Sequence, residues 1–280
     1  METIELNKLQ VAESLIGTSP IKPVGELIDK PCTLVCEGSV LAVYDKLSVK
    51  LLAKLRSVGL KTKTTKGKRL LGLPTSSSVF GSLPRNPVRN DYCRLSANSI
   101  KERGLLSIVQ ECSREICELY SRLLPVEFSS QKDRSEKIPA DWKIDGTPFT
   151  TVNFNKNTAI KYHRDKANQK SVFSSVIIIR DGVSGGELAL PEYGVSLSQK
   201  DGFILLFDGQ KIIHGVCPIR LLRPAGYRLS VVLYAMQQIE NCYPFERELQ
   251  RAKTKRTEKE SRWRPTLEQL GPERGLGKIE

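Results

Sequence analysis

Short apolar runs separated by turn residues fill the chain from 147 to 238. The runs are FTTVNFN, SVFSSVIIIR, GELAL, GFILLF, IIHGVCPI and YRLSVVLYAM, and Gly, Asp, Pro and Asn lie between them. Parallel strands would need helix-length crossovers, and these gaps are too short for them. The pattern therefore predicts an antiparallel sandwich or barrel.

The chain before residue 130 mixes helical and β patterns. Residues 33 to 44 indicate β structure, whereas four leucines between 47 and 55 follow helical spacing. From 99 to 124 apolar residues recur at intervals of three and four, as one buried helix face requires, and Pro125 is expected to end that helix. The expected fold class is therefore α+β, with N-terminal helices flanking a β-rich core.

Changes in amino-acid composition along the sequence divide the chain further. Residues 61–69 are rich in lysine and 74–87 in proline, glycine and serine, so a basic loop and a long irregular connection are expected. The stretch 129–141 is polar and turn-rich, which places a boundary near 135. After Cys242 the high charge is typical of either a solvated helix or a mobile arm. The predicted parts are 1–135, a core at 136–243 and a basic tail at 244–280.

Composition limits the class of protein. Of the 280 residues, 39% are hydrophobic and 27% charged, which is ordinary for a globular protein and excludes disorder throughout. No apolar run approaches the roughly 18 to 20 residues that span a bilayer, and the chain opens without a signal-peptide pattern. We expect an intracellular protein, of the nucleus or of the cytoplasm or nucleoid, with no membrane partner and a monomeric state favoured.

The cysteines and the charge balance add two expectations. The seven cysteines include no CxxC pair and only two histidines accompany them, so a closed structural zinc site has little support and the cysteines are interpreted as reduced packing residues. Lysine and arginine total 44 against 31 acidic residues, a net charge of +13 that favours a polyanionic partner such as nucleic acid. A merely solvated basic surface explains that charge equally well.

Both histidines fall in the β-rich region. His163 and Asp165, in the motif YHRD, are separated by one residue and would face the same side of an extended strand. His214 would then supply a third ligand from another strand. Two imidazoles and one carboxylate on one face of a metal leave positions open for other ligands, as in non-haem iron(II) sites, although the same side chains also bind zinc.

The position of Arg228 favours an iron site with 2-oxoglutarate over a zinc site. It lies one predicted strand beyond His214, where its planar guanidinium could receive the far carboxylate of 2-oxoglutarate. Ser230, two residues further on the same strand face, could donate another hydrogen bond. Each of these residues alone is more simply a structural one, but their combination favours an oxygenase.

Four segments resemble one family. They are HRDKAN from His163 to Asn168, GGELALPEYG at 185–194, DGFILLFDGQKIIHGV at 201–216 and YRLSVVLYAMQ at 227–237. Together they resemble the double-stranded β-helix 2-oxoglutarate dioxygenases, and more closely the TET and J-binding-protein branch that oxidises methylpyrimidines in nucleic acid. The resemblance is best over 147–241.

The resemblance implies a jelly-roll core, with iron(II), 2-oxoglutarate and dioxygen as cofactor and cosubstrates. His163, Asp165 and His214 become the iron ligands, and Arg228 with Ser230 the 2-oxoglutarate clamp. No catalytic side chain beyond the metal ligands is implied. The implied reaction is oxidation of the C5-methyl group of 5-methylcytosine or thymine in DNA, with the base flipped out of the duplex.

The resemblance also indicates substrate residues. Asn168 and Tyr234 match positions that contact the flipped base, although a turn-stabilising Asn and a half-buried strand Tyr explain them equally well. Met236 departs from the family, because the cytosine-oxidising members carry a base-contacting histidine there; the identity of the base stays open. In the segment 78–94, Arg85, Arg89 and Arg94 could approach the cosubstrate or phosphates, or could belong to a solvated basic loop.

Two other functions stay open at this point. The same chemistry could act on a protein side chain or a small metabolite. Repair-type demethylases are less favoured because Arg228 is not followed by their RxNxTxxR pattern. Alternatively, the chain is a non-catalytic basic DNA-binding module, in which the three metal-ligating residues would be dispensable.

Overall fold

A computed structural model describes residues 1–68, 74–86 and 91–263. The helices are α1 Val49–Lys61, α2 Ala97–Lys101, α3 Arg103–Leu123, α4 Pro125–Ser135 and α5 Phe245–Trp263. The strands are β1 Glu2–Glu5, β2 Glu26–Ile28, β3 Cys32–Cys36, β4 Ser39–Lys46, β5 Thr65–Lys68, β6 Pro74–Leu83, β7 Arg94–Leu95, β8 Thr151–Lys156, β9 Ile160–His163, β10 Ser174–Asp181, β11 Val183–Gly185, β12 Leu188–Leu190, β13 Val195–Leu197, β14 Phe203–Phe207, β15 His214–Val216, β16 Ile219–Leu221 and β17 Tyr227–Tyr234.

Two sheets form the β core. The large sheet has the order β1-β3-β4-β14-β10-β17-β8-β6-β5, and the small sheet has the order β2-β13-β12-β15-β9. From β4 to β5 the neighbours in the large sheet are antiparallel, as the short turns require. The predicted antiparallel core is therefore confirmed.

Strand β14 shows why the core strands are continuously apolar. Leu205 and Phe207 pack in a cluster with Leu188 and Val216 of the small sheet, whereas Ile204 and Leu206 pack with the helices on the opposite face. Both faces of the large sheet are thus covered, and burial of each strand requires apolar residues on both sides. The small sheet covers the face that carries the site.

The N-terminal helices pack on the outer face of the large sheet. Leu55 of α1 and Ile116 of α3 belong to the same buried cluster as Phe154 of β8. The predicted helix at 99–124 is interrupted at Glu102, whose φ of −108° and ψ of 55° are not helical. Pro125 ends α3 but also begins α4, because proline is compatible with the first turn of a helix.

Three predictions for the polar segments need correction. Within the expected basic loop at 61–69, Thr65–Lys68 is strand β5, and within the expected irregular connection Pro74–Leu83 is strand β6, which pairs with both β5 and β8. Ser and Thr indicate turns in sequence, yet here their backbone groups are satisfied by neighbouring strands. The stretch 129–141 is helical up to Ser135, where Gln131 and Ser135 are buried.

Strands from both sides of residue 135 share the large sheet, and the three-part division of the chain stays a prediction. Of the two possibilities for the tail, residues 245–263 form the helix α5. Arg69, Arg89 and residues 264–280 lie outside the described residues. None of the described helices is long and apolar enough to cross a bilayer.

The expectation that all cysteines are reduced is wrong for two of them. Cys93 and Cys242 form a disulfide, with 5.9 Å between their Cα atoms and 149 positions between them in sequence. Such a pairing depends on the tertiary fold and has no local sequence pattern. The other five cysteines are buried and free, as expected.

Candidate active site

His163 and His214 lie directly opposite each other on the neighbouring strands β9 and β15. Their ring centroids are 4.2 Å apart. The Nδ1 atom of His163 is 2.8 Å from the carbonyl oxygen of Lys161, and that of His214 is 2.9 Å from the carbonyl oxygen of Ile212. Because a carbonyl only accepts hydrogen bonds, each Nδ1 carries the proton, which leaves the lone pair of Nε2 in both rings available to a metal ion.

Asp165 joins the two histidines from a turn, and not from the strand predicted for it. Strand β9 ends at His163, and the backbone N–H of Asp165 donates to the carbonyl oxygen of Gly209 at 2.8 Å. Its Oδ1 atom is 3.3 Å from Nε2 of His163 and 3.9 Å from Nε2 of His214. One ligand atom from each residue lies within 4.8 Å of the others, so all three side chains can reach one metal ion.

Two neighbours hold the Asp165 carboxylate. A Cβ atom on Gly209 would collide with Oδ2 of Asp165, so any other residue at this position would have to displace the carboxylate. Asn168 donates from Nδ2 to Oδ2 of Asp165 at 3.3 Å and to the Ser174 hydroxyl at 3.0 Å. Asn168, expected from the resemblance to contact the base, therefore also supports a predicted metal ligand.

Burial sets the protonation state of His214. The side chain is buried, and desolvation lowers its pKa to about 4, outweighing the opposite effect of the Asp165 carboxylate. The ring of Phe207 packs edge-on against it with 5.0 Å between the centroids. At neutral pH His214 is therefore uncharged and has a lone pair available for a metal.

A cavity of about 380 Å³ connects the triad to the inner face of β17. Four residues of β17 line it in alternation, as the two-residue period of a strand requires, and Met236 follows them. They are Arg228, Ser230, Val232 and Tyr234. The triad, the predicted 2-oxoglutarate clamp and the predicted base-contacting residues thus line one cavity.

Arg228 is a buried cation that forms no ion pair within the described part of the chain, although the Glu187 carboxylate is near enough to act on its charge. Its side chain is only 2% exposed, its Nε atom has no hydrogen-bond partner, and no described carboxylate lies within the 4.0 Å ion-pair distance. Burial lowers its pKa to about 10, which still leaves it charged at neutral pH. Because an unpaired buried charge is costly, this arrangement indicates an anionic ligand.

Gly186 makes room for that guanidinium. Its φ of +80° is in the left-handed region, and a Cβ atom there would lie 2.9 Å from both Cδ and Nε of Arg228. The sequence GGEL contains this glycine, but only the fold shows which side chain needs the space. Gly186 thus leaves the space that the side chain of the cavity residue Arg228 occupies.

Gln199 is a cavity residue that sequence reasoning missed. It is 1% exposed and has a left-handed φ of +53°, and its Oε1 accepts a hydrogen bond from Nη2 of Arg228 at 3.4 Å. Because a guanidinium only donates, the oxygen must face it, and the buried Nε2 of Gln199 has no hydrogen-bond partner among the described residues. No sequence motif distinguishes Gln199 from an ordinary turn residue.

The predicted substrate residues separate into two groups. Asn168, Tyr234 and Met236 line the cavity, and Asn168 pairs with Met236 through an isolated β-bridge. Arg85 and Arg94 do not line it. Arg85 is bound to the buried carboxylate of Glu248, and Arg94 lies 3.7 Å from Asp91. Phosphate contact by these two arginines stays a prediction.

A second, open cleft of about 570 Å³ adjoins the cavity, and Thr75 lines both. Lys66 of β5 and Lys156 of β8 are exposed at this cleft. The remaining lining residues are uncharged, namely Thr64, Gly67, Thr75, Ser76, Asn157 and Thr158. The cleft thus combines positive charge with hydroxyl groups beside the entrance of the site.

The residues of the cavity fit an iron(II) ion and a dicarboxylate cosubstrate. Two neutral imidazole nitrogens and one carboxylate form a donor set suited to iron(II), with coordination positions left for other ligands. Arg228 and Gln199 supply unpaired buried donors at the other end of the cavity. A zinc site alone would leave these two groups unexplained.

A family model and several relatives match this chain. Residues 80–237 match Tet_JBP, described as the oxygenase domain of the 2OGFeDO superfamily. The bifunctional helicase and thymine dioxygenase JBP2 of Leishmania tarentolae is 30% identical over 165 residues, which are 58% of this chain and 15% of that protein. JBP2 of Leishmania braziliensis is 26% identical over 84% of this chain and 23% of its own length. The chain therefore spans less than a quarter of these relatives.

Another relative and a solved structure are also similar to this chain. Thymine dioxygenase JBP1 of Trypanosoma brucei brucei is 28% identical over 32% of this chain and 10% of that protein. The structure of NgTET1 in complex with 5mC DNA superposes with a TM-score of 0.59 and 17% identity, covering 82% of this chain and 90% of that chain. This similarity in structure confirms the expected mixed fold with a jelly-roll core.

Proposed function

Because the chain belongs to the Tet_JBP family of oxygenase domains in the 2OGFeDO superfamily, we propose that it is an iron(II)- and 2-oxoglutarate-dependent dioxygenase of DNA. The proposed reaction is oxidation of the C5-methyl group of a pyrimidine, 5-methylcytosine or thymine. One observation carries the proposal: His163, Asp165 and His214 share a cavity with the buried guanidinium of Arg228, which has no ion pair among the described residues.

His163, Asp165 and His214 would hold the metal through Nε2, a carboxylate oxygen and Nε2 respectively. The chemistry that iron(II) and 2-oxoglutarate supply when bound is the activation of dioxygen for attack on a C–H bond, with succinate and carbon dioxide as coproducts. The protein's own contribution is to position the reactants and to enclose them in a small cavity. No further acid or base is proposed.

Arg228, Ser230 and Gln199 would bind the distal carboxylate of 2-oxoglutarate. Arg228 offers charge and a planar array of donors, and the unpaired Nε2 of Gln199 offers another donor close to it. The Ser230 hydroxyl lies in the same cavity and is 3.4 Å from Nδ2 of Asn155. A dicarboxylate would satisfy these groups at once, which supports 2-oxoglutarate over a cosubstrate that lacks the second carboxylate.

The methylpyrimidine base would enter between Tyr234 and the Asn168–Met236 bridge. Tyr234 offers an aromatic face for stacking, and Asn168 and Met236 lie beside it at the same end of the cavity. The base would first leave the duplex at a cost of about a few kcal/mol, which contacts in the pocket must offset. The thymine and 5mC named for the relatives support a methylated pyrimidine.

The cleft at Lys66 and Lys156 would hold the DNA backbone beside the flipped base. Both ammonium groups are exposed next to the cavity, and the net charge of +13 favours a polyanion. Phosphate contacts would fix the register of the DNA while the cavity reads the base. Acting on DNA, the enzyme would work in the nucleus, cytoplasm or nucleoid of its host.

One reaction tests the proposal. Purified protein is incubated with iron(II), 2-oxoglutarate and DNA that contains 5-methylcytosine or thymine, and the DNA is digested to nucleosides for mass spectrometry. We expect hydroxymethylated nucleoside and succinate from the wild type, and neither from His163→Ala.

His163→Ala should still bind DNA, because the metal ligand is not part of the Lys66–Lys156 cleft. Succinate without a modified nucleoside would contradict DNA as the substrate and indicate a protein side chain or a metabolite. DNA binding without any succinate would indicate a non-catalytic module. Full turnover by His163→Ala would overturn the metal assignment.

A further inference from the structure

Glu192 is a buried carboxylate outside the metal triad. It lies in the short turn Pro191–Tyr193 between β12 and β13, and it is 5% exposed. Its Oε2 atom accepts a hydrogen bond from the backbone N–H of Ile213 at 2.6 Å. Its Oε1 atom accepts from Nη2 of Arg164 at 2.8 Å. A buried carboxylate with two such bonds is held in a fixed position.

The two hydrogen-bond partners of Glu192 adjoin predicted metal ligands, and the exposed Lys8 lies 4.0 Å from its Oε1 atom. Arg164 lies between His163 and Asp165, and Ile213 immediately precedes His214. The guanidinium of Arg164 makes a further link, because its Nε donates to the carbonyl oxygen of Lys211 at 3.3 Å. Glu192 and Arg164 thus connect the segment 163–165 with the segment 211–214, although neither side chain is a metal ligand.

We infer that Glu192 and Arg164 are a positioning pair that holds the two ligand-bearing segments at the separation required for metal binding. The inference rests on the proposed metal site. Without the pair, only the pairing of β9 with β15 and the hydrogen bond from Asp165 to Gly209 would align the two segments, so part of the metal-binding free energy would be spent on ordering them. Loss of groups that orient metal ligands typically weakens metal binding roughly 10- to 100-fold.

Glu248 provides a matched control, because it has the same kind of environment away from the triad. It is 1% exposed, is bound to Arg85, and accepts from the backbone N–H of Cys93 at 3.0 Å and of Tyr243 at 2.9 Å. A merely structural role for Glu192 predicts that Glu192→Gln and Glu248→Gln behave alike. A positioning role predicts that only Glu192→Gln changes metal affinity.

The experiment is anaerobic titration calorimetry with iron(II) alone, on wild type, Glu192→Gln, Arg164→Ala, the double variant, Glu248→Gln and His163→Ala, with melting temperatures measured in parallel. We expect roughly 10- to 100-fold weaker iron(II) binding for Glu192→Gln and for Arg164→Ala. Glu248→Gln should bind as the wild type does. The loss of affinity in the double variant should be smaller than the sum of the two single losses, because both changes remove the Glu192–Arg164 ion pair, although Arg164→Ala also removes the contacts with Lys211 and Glu13.

The outcomes separate this inference from the proposed function. If wild type binds iron(II), His163→Ala does not and Glu192→Gln binds normally, the positioning role is overturned and the metal site stands. Equal loss of affinity in Glu192→Gln and Glu248→Gln would also overturn it. If wild type does not bind, or His163→Ala binds as wild type does, the metal site itself fails. Arg164→Ala tests the pair even if Glu192→Gln does not fold.

Discussion

Gly209 and Asp165 are in such close contact that a side chain on residue 209 would displace the Asp165 carboxylate. The carbonyl oxygen of Gly209 accepts a hydrogen bond from the backbone N–H of Asp165 at 2.8 Å. A Cβ atom on Gly209 would lie 3.1 Å from Cγ of Asp165 and would collide with Oδ2. The backbone at 209 thus fixes both the main chain and the carboxylate of a predicted metal ligand.

Gly209→Ala should therefore displace the Asp165 carboxylate. We expect iron(II) affinity to fall roughly 10- to 100-fold, as for other losses of support around a metal ligand. The added methyl group should also lower the free energy of unfolding by about 1 to 3 kcal/mol through overpacking. Anaerobic calorimetry with iron(II) and denaturant unfolding measure the two effects.

Gly104→Ala is the matched control, since a Cβ atom on Gly104 of α3 would meet no atom within 4 Å. It should leave the iron(II) affinity unchanged and slightly raise stability, because alanine is favoured over glycine inside a helix. Normal iron(II) binding by Gly209→Ala would show that Asp165 is not held by this contact, or is not a ligand.

The fold class was predicted correctly from the sequence, and the predicted metal ligands and 2-oxoglutarate clamp line one cavity, while their chemical roles stay predictions. The antiparallel pattern, the flanking helices and the residues gathered around the cavity follow from local periodicity and from motif spacing. Gln199 and Glu192 could not be found this way, because their importance depends on which distant groups the fold brings to them. The turn that carries Asp165 was missed because HxD spacing is compatible with either a strand or a turn.

The same limit explains the errors in the N-terminal part. Ser76, Ser77 and Ser78 indicate a loop, yet they lie in β6, where Ser77 pairs with Asn155 of β8. Serine is stable in a strand that lines a polar cavity. The strand propensity of serine is an average over many environments and does not describe this one. Likewise, the pairing of Cys93 with Cys242 depends on a tertiary arrangement that sequence spacing does not contain.

Gln199→Glu should impair 2-oxoglutarate binding. The substitution keeps the size of the side chain but places a carboxylate next to Arg228, where it would pair with the guanidinium and repel the distal carboxylate of the cosubstrate. Loss of one hydrogen bond to a charged group costs about 1.5 to 3 kcal/mol, so we expect the Kd for 2-oxoglutarate to rise roughly tenfold or more. Anaerobic calorimetry with 2-oxoglutarate in the presence of iron(II) measures this Kd.

Gln237→Glu is the control for the added charge, because Gln237 is exposed and does not line the cavity. It should bind 2-oxoglutarate as the wild type does. The iron(II) affinity of Gln199→Glu, measured without 2-oxoglutarate, should stay near that of the wild type. An unchanged Kd for 2-oxoglutarate in Gln199→Glu would place the distal carboxylate elsewhere.

Lys66→Ala combined with Lys156→Ala should weaken DNA binding without altering the choice of base. Each neutralised phosphate contributes about 0.9 to the slope of log affinity against log salt concentration, so loss of two contacts should reduce that slope by about 2. Fluorescence anisotropy of labelled duplex DNA over a series of salt concentrations measures it. The ratio of 5-methylcytosine to thymine oxidation should not change.

The control replaces two exposed lysines that do not line the cleft, Lys22 and Lys30, by alanine. This variant loses the same net charge. If both double variants reduce the salt slope equally, the basic surface acts only through its total charge, and the cleft is not the phosphate site.

Met236→His should shift the preference of the enzyme toward 5-methylcytosine. Met236 is half-buried at the end of the cavity that holds Tyr234, and its bridge partner is Asn168. Its thioether is only a weak acceptor, whereas a neutral imidazole both donates and accepts and could pair with the polar edge of cytosine. A well-placed polar contact to a base is worth about 1 to 3 kcal/mol of discrimination, so the ratio of kcat/KM for the two bases should change roughly 5- to 150-fold. A competition assay on DNA that contains both bases, read by nucleoside mass spectrometry, gives this ratio directly.

Met236→Leu keeps the size without the hydrogen bond and should leave the ratio near that of the wild type. If histidine and leucine shift the ratio equally, position 236 acts on the base through its volume and not through hydrogen bonding.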